Sequence, residues 1–171
     1  MTFEFEIDQG ATVAERYAAL SRQAKSLLAG ETNAIALAAN FSALVYHGVE
    51  RLNWAGFYMS DGDMLVVGPF QGKPACIRIP FGRGVCGRAA VDRETVVVAD
   101  VDAFPGHIPC DSASRSEIVV PIIIDDTVFG VFDVDSPEPG RFTDADRVGM
   151  EQLVAVFRDQ LSVALRTNGV A

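Results

Sequence analysis

The chain has 171 residues, 49% of them hydrophobic, and carries 14 basic side chains against 23 acidic ones. That length suits one domain able to close a core, and the composition excludes wholesale disorder. A formal net charge of −9 repels phosphate backbones and argues against nucleic acid as a partner. The first ten residues, MTFEFEIDQG, lack the basic start and apolar core of a signal peptide. The longest apolar runs, such as Ile118 to Ile124, are too short to span a bilayer. The expectation is a cytoplasmic protein that makes no use of a membrane.

In chain order, Thr12 to Leu28 is predicted to be a helix. Thr12 and Glu15 form a T-x-x-E capping box, Val13, Tyr17, Leu20, Ala24, Leu27 and Leu28 recur at helical spacing, and Gly30 ends the run. A second helix is expected from Asn33 to about His47, with Ile35, Ala38, Phe41, Leu44 and Val45 on one face. A turn this short between them predicts an antiparallel pair. Their stripes suit either a homodimer through these helices or packing on their own sheet.

Trp54–Met59 and Met64–Val67 flank Ser60-Asp-Gly-Asp63, a hairpin signal. Cys76 to Pro80 alternates as a half-buried strand, Val85 to about Val91 is a short helix, and Thr95 to Ala99 another strand. Ile118–Ile124 and Val128–Val134 bracket a second hairpin at Asp125-Asp126-Thr127. Thr143 and Asp146 then cap a long helix striped by Met150, Leu153, Val154, Phe157, Leu161, Ala164 and Leu165. Strands joined by hairpins point to an α+β domain spanning residues 1–171. A helix pair (about 12–47) precedes the sheet and its loops (about 53–135), and a helix (about 143–166) closes the chain. The central sheet is expected to be mostly antiparallel, with the long helices on one face and the short helix and loops on the other.

Chemistry concentrates between Val98 and Ile118, a stretch too long and irregular for a mere connector. It carries His107 and Cys110, one of three cysteines with Cys76 and Cys86. An odd count in a reducing compartment suits catalytic, redox-active or metal-bound thiols, or small buried side chains. An imidazolium at His107, or a helical turn begun by Asp111-Ser-Ala-Ser, would raise the thiolate fraction of Cys110. Alternatively, His107 is a loop imidazole bonded to backbone. Asp133 and Asp135, two apart on a strand, share a face with Val131, while Phe132 and Val134 face the other way. Such a pair either lies in solvent or lines a pocket, where one carboxyl keeps its proton at neutral pH. Glu117 could point into the same cavity.

Two other motifs carry less. Gly82-Arg-Gly84-Val-Cys-Gly87 satisfies G-x-G-x-x-G, yet seven residues between Gly87 and Thr95 leave no room for the crossover helix of a dinucleotide site. Cys76, Cys86, Cys110 and His107 would formally suit zinc, but no pair has the short C-x₂₋₄-C spacing that pre-organises it. No metal and no cofactor is expected.

The strings Gly68-Pro-Phe-Gln-Gly-Lys-Pro-Ala-Cys76, Gly82-Arg-Gly-Val-Cys86-Gly, Phe104-Pro-Gly-His-Ile-Pro-Cys110-Asp, Ser116-Glu-Ile-Val-Val-Pro121 and Gly130-Val-Phe-Asp-Val-Asp-Ser136 closely resemble the free methionine-(R)-sulfoxide reductases. The resemblance covers nearly the whole chain and departs at Pro109, where a small residue such as alanine would be usual. It implies a GAF fold and reduction of free methionine sulfoxide rather than the residue within proteins. Cys110 then matches the nucleophile, Cys76 the resolving cysteine and Cys86 a third thiol able to join the exchange. Trp54 matches an aromatic wall beside the substrate methyl group. Glu117, Asp133 and Asp135 match the carboxylates that hold the substrate and its sulfoxide oxygen. A thioredoxin-like donor is the implied reductant. The competing readings are a GAF sensor domain without catalysis, and a redox-sensing interaction protein.

Overall fold

The computed structural model describes residues 4–5, 10–108 and 111–169. Helix α1 (Val13–Leu28) starts at the anticipated capping box: the Thr12 hydroxyl accepts from the Glu15 amide, and the Glu15 carboxylate accepts from Thr12 N–H at 2.8 Å. Asn33 caps α2 (Ala34–Gly48) by accepting from the Ile35 and Ala36 amides. Val13 and Ile35, expected on the buried faces, are 40% and 70% exposed. Both stand in the first turn of their helix, and burial begins further on, at Tyr17 and Leu37.

Strands β1 (Trp54–Asp61) and β2 (Met64–Gly72) form the first hairpin, and β3 (Arg78–Pro80) follows. The strand expected from Cys76 thus begins two residues later. The Cys76 carbonyl accepts from Tyr58 Oη at 2.9 Å instead of entering a ladder. Helix α3 (Gly84–Asp92), β4 (Val96–Val98) and a 3-10 turn (Val101–Ala103) lead to β5 (Ser116–Ile124) and β6 (Thr127–Ser136). Asp125 and Asp126 both take positive φ, 46° and 61°, as the tightest hairpin turns require. Helix α4 (Asp144–Thr167) opens on the Thr143–Asp146 capping box.

The sheet has six strands in the order β3-β2-β1-β6-β5-β4, every neighbouring pair antiparallel. One face carries Ala55, Phe57, Ile118, Val120, Phe132 and Val134 against α1, α2 and α4. Phe41 sits at its centre, its ring 4.9 Å from Phe132 and 5.1 Å from Phe157. Helix α1 packs chiefly on α4 rather than α2: Tyr17 lies where a Cβ on Gly149 would stand, and its hydroxyl donates to Asp146 at 3.3 Å. Tyr17, Leu20, Ala24 and Leu28 are buried within one chain, so intrachain packing accounts for the α1 stripe.

The opposite face carries Trp54, Tyr58, Val119 and Val131 under α3. This is the expected α+β arrangement. Because β3 and β4 are opposite edges of the sheet, α3 does not cross between parallel neighbours as dinucleotide binding demands. Gly87 serves close packing instead, since a Cβ there would lie 2.5 Å from the Pro80 carbonyl oxygen. Among the described residues no helix is long and apolar enough to cross a membrane.

Candidate active site

Strand register assembles the site. Trp54 on β1 opposes Asp135 on β6, which opposes Glu117 on β5. One step along, Gly56 opposes Asp133, which opposes Val119. Because side chains alternate across a strand, Trp54, Glu117, Asp133 and Asp135 all emerge on the α3 face. The three carboxyls are 5%, 6% and 8% exposed, so they are buried on the α3 side of the sheet rather than set on a solvated strand face.

Gly56 makes room for the aromatic residues beside that cluster. A Cβ there would lie 2.3 Å from the Phe70 Cβ, 2.8 Å from the Phe70 Cα and 2.8 Å from the far end of the Trp54 ring. The indole is stacked on Phe70 (5.2 Å between centroids) and Tyr58 (5.8 Å), and its Nε1 donates to the Lys73 carbonyl at 3.1 Å. Gly56→Ala is expected to destabilise the protein by about 1–3 kcal/mol and to shift the emission of Trp54, the chain's one tryptophan. Denaturant melts followed by fluorescence check both.

Burial governs the electrostatics. It raises Glu117 well above the usual carboxyl range, reinforced by the Asp133 and Asp135 charges, and it raises Asp135 in the same way with Asp133 adding to it. Asp133 is pushed up to about 6 by burial, partly offset by hydrogen bonds from Cys86, Glu117 and the Val134 amide. Cys86 is 4% exposed. Burial lifts its thiol well above the ordinary value, with Asp133 and Glu117 adding to the effect, and its Sγ donates to Glu117 Oε1 at 3.9 Å. Burial thus favours the protonated forms of Glu117, Asp135 and Cys86, and Asp133 is raised less than the other two carboxyls.

His107 Nε2 stands 3.8 Å from Glu117 Oε2. That is ion-pair range, but burial lowers the His107 pKa and raises that of Glu117, so both shifts work against an ion pair. Burial thus disfavours the imidazolium, one of the two readings open from sequence. One ligand atom each from Cys86, Glu117 and Asp133 fall within 4.8 Å of one another. A cation there would have to displace the protons that burial holds in place, and this set differs from the Cys/His set considered from sequence.

Pro109 and Cys110 lie outside the described residues. Before them, Ile108 packs over Gly84 at the start of α3. After them, residues 111–114 form a single turn, with Ser114 N–H donating to the Asp111 carbonyl, instead of the helical turn envisaged. Asp111 accepts from the Ala113 amide (2.9 Å), Lys73 Nζ (3.1 Å) and Asn53 Nδ2 (3.2 Å), and these hold its carboxyl below the usual range, the Ala113 bond contributing most. Asn53 Nδ2 also donates to Ser114 Oγ at 2.9 Å, and Ser114 hydrogen-bonds Asp135. Asn53, Tyr58, Lys73 and Ser114 escaped sequence reasoning. Only Lys73 carried a signal, a cation three residues before Cys76 in an acidic chain.

The sheet, its flanking helices and this pocket define a GAF domain, and the GAF domain model matches residues 15–165. The chain is 53% identical over 148 residues to the free methionine-R-sulfoxide reductase of Escherichia coli, covering 86% of this chain and 90% of that protein. The crystal structure of free methionine-R-sulfoxide reductase from Neisseria meningitidis, in complex with its substrate, superposes with a TM-score of 0.90 at 40% identity, covering 97% of this chain and 98% of that one. A Burkholderia vietnamiensis protein crystallised as a GAF sensor superposes at 0.88 with 62% identity, covering 91% and 99%. This chain belongs to the free methionine-R-sulfoxide reductase family.

Proposed function

We propose that this protein is an oxidoreductase that reduces free L-methionine (R)-S-oxide to methionine. The observation that carries the reading is the buried cluster of Glu117, Asp133, Asp135 and Cys86 beside the locked Trp54 ring. A sulfoxide oxygen accepts a proton as its sulfur is attacked, and the cluster stores protons at neutral pH.

The Cys110 thiolate attacks the sulfoxide sulfur while Glu117, kept protonated by burial, donates to the oxygen. The oxygen passes to Cys110, methionine leaves and Cys110 becomes a sulfenic acid. Cys76 then displaces hydroxide from that sulfur, forming a disulfide and water, and exchange with a thioredoxin-like dithiol restores both thiols. Cys76 is half-buried whereas Cys86 is buried and held as a thiol, so Cys76 takes the resolving role and Cys86 serves as a hydrogen-bond partner of the carboxyls. Trp54 forms the wall for the S-methyl group, a favourable sulfur–aromatic contact. A free α-ammonium stabilises ionised Asp133 and favours proton loss from Asp135, a gain that methionine within a polypeptide cannot offer.

The test is incubation with dithiothreitol and each methionine sulfoxide epimer, free and peptide-bound, with methionine counted. Turnover is expected for the free R epimer. Its absence overturns the reading in favour of a GAF sensor that binds without reacting.

A further inference from the structure

The connection between β2 and β3 carries Cys76 and is held from beneath at two points. Trp54 Nε1 donates to the Lys73 carbonyl and Tyr58 Oη to the Cys76 carbonyl. Across from it, the segment that follows Cys110 is anchored through Asp111. Asn53 Nδ2 binds Asp111 Oδ2 and Ser114 Oγ, and Asn53 N–H donates to the Asp135 carbonyl at 3.0 Å. The Asp111 side chain is 5% exposed, while that of Lys73 is 67% exposed. One ion pair, Lys73 Nζ to Asp111 Oδ1 at 3.1 Å, spans the two segments.

We propose that Lys73 is a positioning residue whose ion pair with Asp111 clasps the Cys76 loop to the Cys110 segment and so sets how fast the two sulfurs join. The inference rests on the proposed resolving role of Cys76. In the step it governs, the Cys76 sulfur forms the S–S bond and the S–O bond of the Cys110 sulfenic acid breaks. The hydroxyl leaves with the Cys76 proton as water, and the sulfoxide substrate is the oxidant. Lys73 touches neither the substrate nor a reacting atom in this scheme. A pair with one exposed partner contributes little to overall stability, and its loss leaves both tethered loops intact while letting them drift apart. The ammonium also offsets the Asp111 charge directly beside Cys110.

The reduced full-length protein would be treated with one equivalent of hydrogen peroxide, quenched with N-ethylmaleimide at intervals and mapped by mass spectrometry for the Cys76–Cys110 disulfide. Lys73→Met is expected to slow closure about fivefold, and Lys73→Arg to restore it. High salt should slow the wild type toward the Lys73→Met rate and leave Lys73→Met unchanged, because screening acts on the ion pair. A purely structural effect of the substitution would show no such salt dependence. Closure of Lys73→Met at the wild-type rate overturns the clasp while the resolving role stands. Failure of the wild type to form a Cys76–Cys110 disulfide overturns the resolving role, and the clasp with it.

Discussion

Cys110→Ser is expected to abolish conversion of even a single equivalent of free methionine (R)-sulfoxide, a loss of about four orders of magnitude or more. A serine hydroxyl at neutral pH has neither the ionised fraction nor the soft nucleophilicity to attack sulfur and take its oxygen. Cys76→Ser should behave differently. The first equivalent of methionine should appear at close to the wild-type rate, because in the proposed mechanism sulfenic acid formation does not involve Cys76. Steady-state turnover with a thioredoxin-type reductant should then collapse, because no disulfide closes. Rapid-quench counting of methionine separates the burst from the steady state. If Cys86→Ser eliminates the burst while Cys76→Ser leaves recycling intact, the division of labour among the thiols is wrong. The buried Cys86 thiol, held well above its ordinary pKa, is the physical reason to expect otherwise.

The second large effect concerns the carboxyls and runs in opposite directions for activity and stability. Glu117→Gln removes the proposed proton donor while keeping the shape, and kcat should fall by about 10²–10⁴-fold. Stability should rise at neutral and alkaline pH when a buried acid of this cluster becomes an amide. Asp133 shows the sign. Its pKa rises from 3.8 to about 6 on folding, so the contribution is fully present below the unfolded value and is lost as pH climbs through the folded one. Above that window, burying the ionisable carboxyl costs on the order of 3 kcal/mol. Glu117 and Asp135, raised in the same direction, add to the trend. Asp133→Asn should therefore melt about 6–12 °C above the wild type at pH 8, and the difference should vanish near pH 4. Thermal melts across that range decide it, and superimposable pH profiles would show that the pocket is not as desolvated as its burial indicates.

Much of this fold was legible along the chain because the signals are local. Capping boxes at Thr12 and Thr143 declare themselves by residue type and spacing. The alternation Val131-Phe132-Asp133-Val134-Asp135 assigns residues to faces before any partner strand is known. Expectations failed where a local pattern met a tertiary limit. Ile35 continues the α2 stripe past the turn where burial begins, and Cys76 continues an alternating pattern beyond the point where Tyr58 takes its carbonyl.

The sequence by itself determined the element order, the antiparallel hairpins, the two aspartates on one face and, through the contexts of its three cysteines, the family. Periodicity, capping and motif context are written within a few residues of one another. Only the tertiary structure decided that the carboxyls are buried with their pKa values raised, that His107 stands beside Glu117 with its own pKa lowered, and that Asn53, Lys73, Asp111 and Ser114 link the β2–β3 connection to residues 111–114. Each of those depends on which residues strand register and loop closure bring face to face. Proton affinity follows from that dielectric and those neighbours, and no local pattern in a linear sequence records them.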